Sequence, residues 1–391
     1  MKNILKFINH TQLALFSLAF IMILLIGILQ FNMTFAISKT EANKITLYYI
    51  STRDPQNFNT AVPLNPVYNP KVEAGYGNDT YLNFSQLKDE ACKNKTVAIF
   101  VHGWEESEKN VKERLNRVKL SLAHNNYTGP LVGFSWPSDT VWLAAQFIAQ
   151  ANGPKLAKLI YDIKSDCPGA DIRIIAHSLG ARVVLNSLDS LHKNPLWNNK
   201  NFKIKSVHFM GAAVDDEEVS SRSEFILIDQ TNWGSAKSDY GQAIQEEVIN
   251  FYNLFSSKDN MLEPFPDLPS VPIYPTFESD WALGQSGYQK FSDPYNIIST
   301  LPKNYNETNV TKELVAICDA DGDGYIDLPF KKNQTINVGD NHRGYLGYRE
   351  NESILTDDGA MNVLMSTWNK KPLSNINQNL NSSKCDKSLP P

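Results

Sequence analysis

The chain has 391 residues, 42% hydrophobic and 20% charged, which is enough apolar material for one large packed domain or two smaller ones. Its formal net charge is −5 at pH 7 and it carries no basic stripe, which argues against a nucleic-acid partner.

The first 36 residues stand apart. Lys2 and Lys6 precede a nearly unbroken apolar run from Leu13 to Phe31, and Thr34-Phe35-Ala36 supplies small residues suited to signal cleavage. The run is also close to the length of a spanning helix. Residues 1–36 are therefore expected to be a cleaved signal peptide or a retained membrane anchor, and both place the rest of the chain outside the cell. Asn-x-Ser/Thr sequons at Asn78, Asn83, Asn94, Asn126, Asn306, Asn309, Asn333, Asn351 and Asn381 agree with export. So do four cysteines, Cys92, Cys167, Cys318 and Cys385, an even number suited to disulfides, although free buried thiols are the plain alternative.

Beyond this segment strand and helix alternate. Ile45-Tyr49 reads as a strand, and 57–79, rich in Pro, Asn and Gly, as loop. Val97-Val101 is a short apolar run typical of a strand buried on both faces. Glu105 to His124 is helical, with Val111, Leu115, Val118 and Leu122 on one stripe. Leu131-Phe134 is a strand. A helix from Val141 is expected to be interrupted at Asn152-Gly153-Pro154 and to resume through Leu156, Leu159, Ile160 and Ile163. Asp171-Ala176 is a strand and a helix comes after it. Ile204-Phe209 and Val248-Phe255 are two more strands. Pro264 to Tyr305 reads as loops over a site, and the tail from Lys370 as irregular. No internal repeat is present. The pattern predicts an α/β fold, a mostly parallel central sheet covered by helices on both faces and preceded by the hydrophobic segment. The domain is expected over 37–369, with an irregular tail at 370–391.

Ala176-His177-Ser178-Leu179-Gly180 sits where a strand ends and a helix begins, the setting that gives G-x-S-x-G its meaning. The turn strains the serine backbone and lifts its oxygen clear of the sheet. It needs small residues two before and two after: Gly180 qualifies, and Ala176 departs from glycine by one methyl. An acyl-transfer serine also needs hydrogen-bond donors for an oxyanion. His102-Gly103-Trp104 ends another strand, so the Trp104 N–H is one candidate donor and the Leu179 N–H the other.

FVHGW, FSWPS, AHSLGARV and NLFSSKDNML, in that order from about Val97 to His342, resemble the α/β-hydrolase family of serine esterases and lipases. ALGQSGY, Ala282 to Tyr288, also resembles a stretch that comes after the acid in those proteins. The resemblance implies a triad in the order serine, acid, histidine, with Ser178 as nucleophile and Asp259, just after the strand VINFYNLF, as the acid. Asp215 and Asp216, after the preceding strand, are the rival acids. His342, in GDNHRGYLGY, comes after the acid in a loop. His10 lies in the export segment, and His102, His124, His177, His192 and His208 fall in turns, helix ends or a strand. The implied activity is an exported serine hydrolase cleaving carboxylic esters or thioesters without a cofactor, on a small-molecule or lipid substrate. A peptidase shares the same machinery. A surface binding protein on a hydrolase scaffold that has lost catalysis is the alternative.

Asp319, Asp321, Asp323, Gly324, Tyr325 and Asp327 match the D-x-D-x-D-G spacing of a Ca²⁺ loop, but Phe330 stands where the bidentate glutamate is expected. A structural Ca²⁺ in an inserted segment near 306–335 is expected, with a solvated acidic turn as the alternative. In the implied fold the strands after Cys92 and Cys167 are parallel neighbours, which suggests a Cys92–Cys167 disulfide and leaves Cys318–Cys385 to tie the tail. Trp136, Trp281, Tyr288 and the aromatics at Tyr274-Phe277 read either as acyl-pocket lining or as core.

Overall fold

The computed structural model describes residues 45–53, 73–74, 80–81, 84–221, 240–257, 259, 261–262, 282–288, 300–315, 342, 344–346, 348–351, 354–357 and 359–369. Residues 1–36, expected to be an export segment, the acidic stretch at 319–327, Trp281, Tyr274-Phe277, Cys318, Cys385 and residues 370–391 lie outside them.

Strands β1 (Leu47–Ser51), β2 (Glu73–Ala74), β3 (Thr80–Tyr81), β4 (Thr96–Val101), β5 (Leu131–Ser135), β6 (Asp171–His177), β7 (Ile204–Met210), β8 (Val248–Phe255) and β9 (Tyr305–Asn309) form one sheet. Its order is β3-β2-β1-β5-β4-β6-β7-β8-β9. Every pairing from β1 to β9 is parallel, and β2 and β3 add an antiparallel edge. Parallel neighbours need crossover connections, and helices supply them. Apolar side chains alternate between the two faces at the strand period of two. Val97, Ile99 and Val101 of β4 join one core cluster, while Ala98 and Phe100 join the other.

One face packs against α1 (Phe84–Asn94), α3 (Trp142–Asp166), α4 (Gly180–His192) and α6 (Gly241–Glu247). The other is covered by α2 (Glu108–His124) and α9 (Met361–Asn369). The α2 stripe Val111, Leu115, Val118 and Leu122 is fully buried there. Each such side chain contributes about 1.5–3 kcal/mol on leaving water. The helix begins at Glu108 rather than Glu105. Ser107 caps it by accepting a hydrogen bond from the Asn110 N–H, and Glu105 is held at φ +56°.

The expected break in the second helix does not occur. α3 runs unbroken through Asn152-Gly153-Pro154. Asn152 is fully buried; its amide donates to the Ile148 carbonyl, and its oxygen accepts from Thr52. At Gly153 a Cβ would meet Asn186 Cβ at 2.4 Å, so the missing side chain lets α4 lie close. Tertiary packing thus overrides the local breaker signal. Tyr305–Asn309, where an insertion is expected to start, pairs instead with β8 as the outer strand of the main sheet. A 3-10 turn, Gly344–Leu346, comes just after His342, and β10 (Tyr348–Asn351) and β11 (Ile354–Asp357) then form a separate two-stranded sheet.

Cys92, in the last turn of α1, and Cys167, the C-cap of α3, form a disulfide with Cα atoms 5.1 Å apart. Among the described residues, no helix is long and apolar enough to cross a membrane.

Candidate active site

The loops after β4, β6, β7 and β8 leave the same carboxyl edge of the sheet, and these strands are consecutive neighbours. That edge of an open parallel sheet is where ligands are bound.

Ser178 comes directly after β6 with φ +54°, a left-handed conformation that costs a non-glycine residue about 1–2 kcal/mol. Two backbone hydrogen bonds, to the end of β7 and to the loop after it, hold it there: Ser178 N–H to the Met210 carbonyl at 3.0 Å, and Ala213 N–H to the Ser178 carbonyl at 3.2 Å. Gly180 is small for a reason other than crowding against Ala176. A Cβ there would lie 2.5 Å from the Val101 carbonyl oxygen and 2.6 Å from that of His102. The elbow is therefore packed onto the turn after β4.

That turn is tied down on every side. The Trp136 N–H donates to His102 Nε2 at 3.0 Å, which puts the imidazole proton on Nδ1, where it is donated to the Gly103 carbonyl at 2.9 Å. Trp136 Nε1 donates to the His102 carbonyl at 2.8 Å, and the two rings stack. Burial holds the His102 pKa well below the ordinary histidine value, in keeping with this neutral tautomer. Arg53, just past β1, donates to Ser135 Oγ at 2.7 Å and to the Glu106 carbonyl at 2.6 Å. Glu106 pairs with Arg114 of α2 in a buried ion pair. The Trp104 indole donates to the Thr140 carbonyl at 2.7 Å and packs edge-on against Trp142. A Cβ on Gly103 would sit 2.6 Å from Ser178 Cβ, so the turn lies directly against the serine. Among the described residues, neither the Trp104 nor the Leu179 N–H donates to another main-chain carbonyl. Trp104 follows Gly103 and Leu179 follows Ser178, so both N–H groups flank this contact.

His342 Nδ1 lies 2.7 Å from Asp259 Oδ2. Asp259 is fully buried and His342 nearly so. Asp259 is placed by a turn after β8, its N–H bonded to the Ser256 carbonyl at 3.0 Å. The carboxylate against the ring is thus Asp259. Asp215, by contrast, forms a bridge with Ala282, and Asp216 starts a 3-10 turn, Asp216–Val219. Gly211, after β7 at φ +55°, forms the floor: a Cβ there would meet Tyr345 at 2.7 Å, Asp259 Oδ2 at 2.9 Å and His342 Cε1 at 3.1 Å. The fully buried Tyr345 hydroxyl donates to the Gly284 carbonyl at 3.1 Å. His177 Nε2 is 2.7 Å from the His342 carbonyl, and the two rings are 4.8 Å apart.

Trp136 is fully buried and builds the β4 turn rather than lining a pocket. Tyr288 is half-buried against the main core cluster. His177, Gly211, Tyr345 and Arg53 carry no local sequence signal for what they do, because each acts on a residue distant in the chain. At the opposite end of the sheet, His192, Glu246 and Glu247 bring one potential ligand atom each within 4.8 Å. Glu247 is already bonded to His192 at 3.1 Å and to the Trp197 indole at 2.5 Å, contacts with their own structural use.

A parallel sheet with helices on both faces, with a strained serine after one of its strands, is the arrangement of an α/β-hydrolase fold. Residues 81–263 match the model of the family described as "Alpha/beta hydrolase of unknown function (DUF900)". No curated protein matches its sequence. Among solved structures it is similar to phospholipase PlaB from Legionella pneumophila in complex with thio-NAD, at 19% identity and a TM-score of 0.26, over 42% of this chain and 38% of that one. The chain thus spans well under half of that phospholipase's length. It is also similar to an acetylxylan esterase, at 16% identity and a TM-score of 0.25, over 40% of this chain and 81% of that one.

Proposed function

We propose that the protein is an exported serine hydrolase that cleaves carboxylic esters or thioesters by acyl transfer. The observation that carries this reading is the buried Asp259–His342 pair, 2.7 Å apart, at the sheet edge that also bears the strained Ser178. His342 takes the Ser178 proton as Oγ attacks the ester carbonyl carbon. Asp259 keeps the ring in the tautomer with Nδ1–H and stabilises the imidazolium that forms. The Trp104 and Leu179 N–H groups receive the oxyanion. The imidazolium then gives its proton to the leaving alcohol or thiol, the acyl group stays on Ser178, and a water activated by His342 releases it as the acid. No cofactor enters these steps.

The substrate is a small-molecule or lipid ester. Export is supported by the N-terminal apolar run, by the Cys92–Cys167 disulfide, and by the exposure of Asn94, Asn126, Asn306 and Asn309, all in sequons. If residues 1–36 are retained they tether the enzyme to the membrane with the domain outside. Hydrolysis of p-nitrophenyl esters of increasing acyl length, with Ser178→Ala as control, tests the reading. Activity that is lost in the variant supports it. No turnover of any ester by folded wild-type protein favours a binding protein on this scaffold instead.

A further inference from the structure

We infer that His177 is a positioning residue that clamps the loop carrying the catalytic base to the turn carrying the nucleophile. The position before the nucleophile in such a turn has no steric requirement of its own, unlike the crowded Gly180. Here it holds a histidine that is 3% exposed and points across to a segment 165 residues later in the chain. Its partner is a carbonyl, which only accepts, so His177 carries a proton on Nε2 and donates it at 2.7 Å.

The geometry gives this bond a particular use. The His342 side chain is fixed by Asp259, from the turn after β8, whereas its main chain is fixed by His177, from the end of β6. The imidazole is thereby held at both ends of its own residue by two neighbouring parts of the sheet edge. His177 is covalently adjacent to Ser178, so the clamp refers the His342 backbone directly to the nucleophile's own peptide. Tyr345 completes the support: its ring lies 6.2 Å from that of His177 and 6.3 Å from that of His342, and its carbonyl accepts from the Ala360 N–H at 3.0 Å. Without the His177 donor, the His342 carbonyl loses this partner and the base is held less firmly against Asp259.

This inference rests on the serine-hydrolase reading, and the test separates the two. His177→Leu removes the donor. His177→Gln keeps an amide N–H at about the reach of Nε2. With p-nitrophenyl butyrate as substrate, His177→Leu is expected to lower kcat by about 100-fold with KM within about twofold, the cost of misplacing a reacting group by about 1 Å. The rate of labelling by a fluorophosphonate should fall in parallel, and His177→Gln should recover most of both. A leucine variant within threefold of wild type overturns the inference. So does a folded glutamine variant with kcat reduced as far as a leucine variant is expected to be, and this second result decides the matter if the leucine variant does not fold. Ser178→Ala reads the parent claim independently: if it retains full activity the hydrolase reading fails whatever the His177 variants do.

Discussion

At the scale of single residues, the site depends on what is missing as much as on what is present. Gly211 has both a left-handed backbone and no room for a methyl group beside Tyr345, Asp259 and His342. Gly211→Ala is expected to cost about 2–5 kcal/mol, summing backbone strain and overpacking, and, on the proposed function, to cut ester hydrolysis sharply because the displaced atoms belong to the Asp259–His342 pair. Urea denaturation with a parallel activity assay checks this; an alanine variant of wild-type stability and rate contradicts it. Ser178 is legible in the sequence because strand, turn and helix signals meet around it in one short stretch. His177 is legible only as part of a turn, since its partner lies 165 residues away. Trp136 is ambiguous because a tryptophan that braces a turn and one that lines a pocket look alike in sequence. The tie between Trp136 and His102 gives FSWPS and FVHGW a joint physical purpose that neither motif shows alone.

At the scale of elements, the buried parallel strands are readable because both of their faces are apolar, whereas the edge is not. β9, YNETN, is polar and mostly exposed along its length and carries no strand-like alternation. It is a strand because β8 offers it a free ladder. The α3 helix departs from its sequence signal for the converse reason: Asn-Gly-Pro is a strong local stop, but burial of Asn152 and close contact with α4 hold the helix through it. The Cys92–Cys167 bond ties the ends of α1 and α3 across 75 residues. A loop of that size is expected to contribute about 2–4 kcal/mol by restricting the unfolded chain. Cys92→Ser with Cys167→Ser should therefore lower the urea midpoint with little change in the slope. Equal midpoints for the double variant and the oxidised wild type contradict the pairing.

At the scale of the whole molecule, stability should depend on pH in a direction set by buried histidines. His208 of β7 donates to Thr367 of α9, stacks on Tyr252 and has Arg173 and Trp368 nearby. Burial, with the Arg173 charge second, brings its pKa down to about 3. His102 is depressed by burial in the same sense. An unfolded histidine binds its proton near pH 6.5, so below that pH the unfolded chain takes up protons that the folded one refuses. Stability is therefore fully present above about pH 6.5 and declines as pH falls toward the folded values. For His208 the loss from pH 7.5 to 5.5 is on the order of 1 kcal/mol, and His102 acts in the same direction. Urea unfolding at the two pH values measures it, and His208→Gln should flatten the dependence. A stability that stays level or rises on acidification contradicts the assignment.

The proposed function requires that His342, backed by Asp259 from after β8, act on the hydroxyl of Ser178 from after β6. The sheet edge is foreseeable from the alternation of strand and helix; the pairing of His342 with Asp259 is legible only through the family resemblance, because the segment bearing His342 has no periodic pattern to place it. Fluorophosphonate labelling followed by intact-mass measurement and peptide mapping tests the claim most directly. One phosphonyl group per chain is predicted, on Ser178, with labelling abolished in Ser178→Ala and strongly slowed in His342→Ala. Folded protein that takes up no label, or a label found on another residue, contradicts it.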